Sequence, residues 1–137
     1  MSENDRVPRF VIDSGATLHL AAVEAQVSPE QELLAPTLWR SETLSALYQA
    51  VTTGELTADV ARERIAYVNG LKIRLLGDAV LRRRAWELAL ELELDTTYPA
   101  EYVALAQLQK STLVSTDDQL LERVGHLVPT APLDVLG

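Results

Sequence analysis

The sequence predicts an α/β fold in which a mainly parallel central sheet is flanked by helices. Three observations predict it. Short runs of apolar residues, Phe10-Val11-Ile12 and Leu113-Val114 among them, end in turn residues, as buried strands do. Between such runs lie longer stretches whose apolar residues recur every three or four positions, the pattern of helices packed on a sheet. Two of the runs also lead into an aspartate, Asp13 and Asp117. In a parallel sheet that position is the carboxyl edge, where α/β proteins place ligands.

The first strand is followed by a short helix over Ala16 to Val23, then a polar segment from Glu24 to Glu32 broken by Pro29. Leu33-Leu34-Ala35-Pro36 is a second strand end, and Pro36-Thr37 opens a helix from Leu38 to Thr52. Leu44, Leu47, Tyr48 and Val51 are its expected core stripe, and Gly54 ends it. Thr57 caps a helix with Ala61, Ile65 and Val68 on its apolar face, stopped at Asn69-Gly70. Residues 71–76 are a strand rich in branched side chains. Asp78 caps a helix from Ala79 to Leu94 whose core positions are Leu81, Ala85, Leu88, Ala89 and Leu92. Pro99 sits in the first turn of a helix running to Gln109, a position that suits proline. Leu113 to Ser115 is a strand, Gln119 to Val124 a short helix, and His126 to Pro129 an edge strand. Residues 1–137 are expected to form one domain, with residues 1–7 and 130–137 irregular.

Composition narrows the chemistry. A chain of 137 residues, 47% hydrophobic and 23% charged, is ordinary for a globular domain with a real core. It has no cysteine and only two histidines, His19 and His126, so thiolate sites are excluded and a His-rich zinc site is disfavoured. A metal here would bind through carboxylate oxygens, which suits Mg²⁺ or Mn²⁺. Residues 1–6 lack the apolar core of a secretory signal and no apolar run is long enough for a membrane span, so a cytoplasmic protein with no membrane partner is expected. The net charge of −8 argues against bulk electrostatic binding of nucleic acid, although a metal cluster itself requires acids.

Three acids occupy comparable places: Asp13 after the first strand, Glu42 on a half-apolar helix, and Asp117 after the late strand. Singly, each has a plain structural explanation. Asp13 and Asp117 can cap helices, and Glu42 can be a solvated helix residue on the face of Leu38, Ser45 and Ala46. Together at one sheet edge they would repel, so a pKa would rise or a divalent cation would be recruited. Such a cation acidifies water and offsets charge on a phosphate.

Four segments carry a family resemblance. They are Phe10-Val11-Ile12-Asp13-Ser14, Ala35 to Leu44 around Glu42, Tyr98-Pro99-Ala100-Glu101-Tyr102-Val103-Ala104-Leu105-Ala106, and Leu113-Val114-Ser115-Thr116-Asp117. In their order and spacing the chain resembles PIN domains, and within them VapC-type toxins of bacterial type II toxin–antitoxin systems. The resemblance runs from Arg9 to about Val128. It implies a three-layer sandwich with a mainly parallel sheet and metal-dependent endonucleolytic cleavage of RNA by a metal-activated water. It further implies an antitoxin protein partner and a homodimer. Asp13, Glu42 and Asp117 match the first, second and last family acids, as catalytic and metal-binding residues. Ser115 stands where a hydroxyl residue is usual. The third acid is missing, because Pro99 occupies its place, and Gly15 stands where serine is common. Glu101 lies about 200° around the helix from residue 99, which disfavours it as a replacement. Asp118, adjacent to Asp117, is the possible helper, whereas Asp95 would need its loop to fold back. The alternative reading is a degenerate, non-catalytic PIN-like binding module.

Other features have simpler readings. Arg82-Arg83-Arg84, with Lys72 and Arg74, could form a phosphate rim but more simply balances Glu87, Glu91 and Glu93 on a solvated face. His19 is expected to pack or lie exposed rather than ligate, and Trp39 and Trp86 to serve the core or an interface. The Asp13-Ser14-Gly15 run lacks the second aspartate that haloacid-dehalogenase phosphatases need.

Overall fold

The computed structural model describes residues 7–136; the irregular structure expected for residues 1–6 and for Gly137 lies outside them. The chain forms β1 (Arg9–Ile12), α1 (Ser14–Ala22), β2 (Glu32–Pro36), α2 (Trp39–Thr52), α3 (Ala58–Gly70), β3 (Ile73–Leu76) and α4 (Ala79–Glu91). It continues through α5 (Tyr98–Leu108), β4 (Thr112–Val114), α6 (Asp118–Val124), β5 (Thr130–Ala131) and a 3₁₀ turn at Leu133–Leu136. The five strands make one sheet in the order β3-β2-β1-β4-β5, every pair parallel. With helices on both faces this is the expected α/β three-layer sandwich of PIN-like form.

β1 is central because its side chains are apolar on both faces. Val11 pairs in register with Leu34 and Leu113, and these three face the core built by α4, α5 and α6. Phe10, Ile12, Leu33 and Val114 face the opposite core with α1 and Leu136. Strands buried on both sides read as continuous apolar runs, which is why β1 and β2 are so plain in the sequence. Asp13, Thr57, Asp78 and Asp117 cap α1, α3, α4 and α6, each accepting a backbone N–H from within the first turn.

Two expectations are corrected. The α2 stripe is not Leu44-Leu47-Tyr48-Val51: Leu44 is 55% and Tyr48 69% exposed. The helix instead buries Trp39, Thr43 and Leu47, an i, i+4, i+8 row. Leu47 belongs to both rows, and the rest of the buried one is disguised by a threonine. The displaced row lines an open apolar groove with Ile65 of α3. The carboxyl-terminal tail is also ordered, not irregular. The edge strand lies at Thr130–Ala131, bonded to β4, rather than at residues 126–129. Leu136 is 1% exposed beneath it, so the last turn closes the second core. Pro129 and Pro132 bracket a strand too short for periodicity to reveal.

Candidate active site

The sheet brings the three matched acids to its carboxyl edge. Asp13 follows β1 directly and caps α1: its Oδ1 accepts the Ala16 N–H at 2.8 Å. Its backbone carbonyl accepts the Thr17 hydroxyl at 2.8 Å. Asp13 is therefore a helix cap that also stands at the carboxyl edge of the sheet. Pairing of Ile12 with Val114 sets the next residues, Asp13 and Ser115, side by side. Asp117 caps α6, with Oδ1 accepting the Leu120 N–H at 3.1 Å, while its own N–H donates to Ser115 Oγ at 3.0 Å.

Glu42 arrives from α2, which is tied to α1 by a buried polar contact. The Trp39 indole N–H donates to Thr17 Oγ at 2.8 Å. Trp39 is 1% exposed, so its place in the core is settled and it offers no ring to solvent. One turn on, Glu42 Oε1 accepts the Tyr102 hydroxyl of α5 at 2.6 Å. Three elements are thus bonded to one another around the edge. Asp118 is exposed in the first turn of α6, next to the capping Asp117.

The electrostatics match that geometry. Burial pushes the Asp13 carboxyl above its ordinary value, the Ser115 hydroxyl and Ala16 N–H oppose this, and Glu42 and Asp117 push it further up. Burial also raises Tyr102, with Glu42 adding to the effect, so its phenol stays protonated and donates. Burial and then Glu42 raise Glu101, while Arg82 lowers it. Glu101 therefore shares the field of Glu42, although its rotation from Pro99 counts against it as a substitute ligand. Residue 101 adjoins Tyr102, the residue through which α5 meets α2, a proximity no local spacing reveals. Pro99 lies in the first turn of α5, so no acid reaches the edge from that position.

The donor set is carboxylate and hydroxyl oxygen only, the chemistry that hard divalent cations prefer. An aspartate raised chiefly by burial and further by two nearby carboxylates is also an electrostatic setting that a cation relieves. Donor type and charge fit Mg²⁺ or Mn²⁺. Among the described residues, however, no three acidic or histidine side chains are gathered closely enough to hold one ion as they stand.

Beside the acids is a cleft of about 390 Å³ between α2 and the start of α5, lined by Leu38, Ser41, Glu42, Ser45, Gln49 and Tyr98. A larger cleft of about 560 Å³, at Ala25, Tyr67 and Leu71, lies at the amino edge of the sheet and contains none of the acids. The arginine triplet divides. Arg84 is occupied by Gln107 at 2.8 Å and Glu87 at 3.4 Å, whereas Arg82 and Arg83 are exposed. Arg74 pairs with Glu32 at 3.5 Å on the sheet's far strands. His19 is exposed, as is Trp86 on α4.

No protein-family description matches the chain, and no curated protein matches it in sequence. Solved structures do. PAE2754 from Pyrobaculum aerophilum superposes with a TM-score of 0.71 at 22% identity, over 94% of this chain and 93% of that one. The structure of VapBC-1 from nontypeable Haemophilus influenzae gives a TM-score of 0.60 at 12% identity, over 92% and 98%. Likeness at such identity establishes the fold, and the fold is PIN-like. No helix among the described residues is long and apolar enough to cross a membrane.

Proposed function

We propose that the chain is a Mg²⁺- or Mn²⁺-dependent endoribonuclease of PIN type, the toxin component of a toxin–antitoxin pair. The observation that carries this reading is the placement of Asp13, Glu42 and Asp117, from three elements, around the carboxyl edge of the parallel sheet, where burial and then the two neighbouring carboxylates raise Asp13. Asp13, Glu42 and Asp117 would hold the cation. When bound, it supplies Lewis acidity, offsetting phosphate charge and lowering the pKa of water at the edge. The chain's own part is to keep the carboxylates oriented. Tyr102 fixes Glu42, Ser115 favours ionised Asp13, and the two caps lock Asp13 and Asp117 onto helix starts.

The antitoxin partner is proposed from the VapBC-1 likeness and from the open apolar groove of Leu44, Tyr48, Val51 and Ile65, a surface that monomers seldom leave uncovered. A homodimer and a cytoplasmic setting belong to the same proposal. The non-catalytic alternative rests on Pro99. The nearness of Glu42 and Asp117 to the buried Asp13 supports the enzyme reading over that alternative.

The test is cleavage of structured RNA with Mg²⁺ or Mn²⁺ by wild type and Asp13→Asn. Asparagine keeps the helix cap, so the comparison isolates the charge. Wild type should cleave and the variant should not. Equal cleavage by both, or none by either, sinks the proposal.

A further inference from the structure

We propose that the cleft between α2 and the start of α5 seats a nucleobase of the RNA strand, with Tyr98 stacking on the base and Gln49 and Ser45 facing its edge. The inference rests on the nuclease reading and adds to it a residue that sets substrate preference. Tyr98 is 53% exposed at the mouth of this cleft, on a helix start stiffened by Pro99. A large aromatic ring left half in water beside an acidic edge has a free face for a planar partner. The lining specifies which one. Leu38 and Ala46 are apolar, Ser41, Ser45 and Gln49 are neutral and polar, and no basic side chain is present to hold a phosphate. Gln49 donates to Ser45 Oγ at 3.4 Å, and both side chains are exposed. An uncharged planar group with a hydrogen-bonding rim fits this lining, and nucleobases are recognised in single strands by stacking together with contacts along that rim. The volume, about 390 Å³, is at the small end of ligand sites. Glu42 lines both the cleft and the acidic edge, so a base held here lies next to the backbone to be cut.

The experiment is a fluorescence titration of Asp13→Asn protein, in Mg²⁺, with single-stranded RNA carrying 2-aminopurine. The probe should quench on binding. Adding Tyr98→Ala should weaken binding about 10-fold and abolish the quench, whereas Tyr98→Phe should keep both within about 2-fold. Tyr98 is exposed, and an unchanged thermal midpoint verifies that each variant is folded. RNA binding and quenching unaltered by Tyr98→Ala would overturn the base site and leave the nuclease reading standing. Failure of wild type and of every variant alike to bind RNA would overturn both.

Discussion

Thr17→Val is the most informative single change in the framework of the site. Thr17 is fully buried, and its hydroxyl both donates to the Asp13 carbonyl at 2.8 Å and accepts the Trp39 indole N–H at 2.8 Å. Valine has nearly the same shape, so no cavity forms. The Asp13 carbonyl keeps the Thr17 N–H at 3.0 Å and is not orphaned. The indole N–H is orphaned, in a side chain only 1% exposed, and an unsatisfied buried donor costs ~1–3 kcal/mol. The expected loss is about 2 kcal/mol, or ~8 °C in Tm for a domain of this size. Urea unfolding should show a lower midpoint with an unchanged slope. Trp39→Phe in the Thr17→Val background should cost less than Trp39→Phe alone by about 1 kcal/mol, because the second change removes a donor that already lacks its partner. A loss below ~0.5 kcal/mol for Thr17→Val, or strict additivity in the cycle, would refute the claim that this contact anchors α2 and hence Glu42.

Other outcomes follow from the same geometry. Asp13 has its carboxyl raised, so the folded chain holds that proton more tightly than the unfolded one, and stability falls as pH rises through the raised value. Asp13→Asn should match wild type in acid and exceed it near pH 7 by ~0.5–2 kcal/mol, measured as a Tm difference across pH. Thr43 is 1% exposed with a hydroxyl that has no partner, so Thr43→Val should stabilise by about 1 kcal/mol in urea titrations. Leu136→Ala should cost ~2–5 kcal/mol, whereas Leu44→Ala should stay within ~0.5 kcal/mol, separating the ordered tail from the exposed α2 row by the same assay.

Much of the edge is legible in the sequence because it depends on local grammar. A buried strand followed by a capping aspartate specifies where Asp13 and Asp117 stand, and parallel pairing then sets both at one edge. What is not legible depends on distance. The Tyr102–Glu42 bond spans 60 positions, and with it the field that Glu42 exerts on Glu101. The two rows of α2 share Leu47 and both fit a helix, and the buried one is the row whose Trp39 seats against Thr17. β5 has two residues, so its pairing with β4 rather than any pattern defines it. Tyr98 opens one of the segments that carry the resemblance, but its place beside a cleft becomes visible only when the helix start is set against α2. Pro99 is the converse case. The sequence shows directly that position 99 carries no carboxylate, and the fold adds only that it lies in the first turn of α5.

Asp13, Glu42 and Asp117 are proposed to act as one cation-binding unit despite Pro99. Calorimetric titration of Mn²⁺ into wild type, Asp13→Asn, Glu42→Gln and Asp117→Asn tests it most directly. Wild type should bind Mn²⁺ at millimolar concentration or below and each variant should lose at least ~10-fold, since ligand charge sets affinity at oxygen sites. No binding to wild type, or binding that all three variants retain, would contradict it.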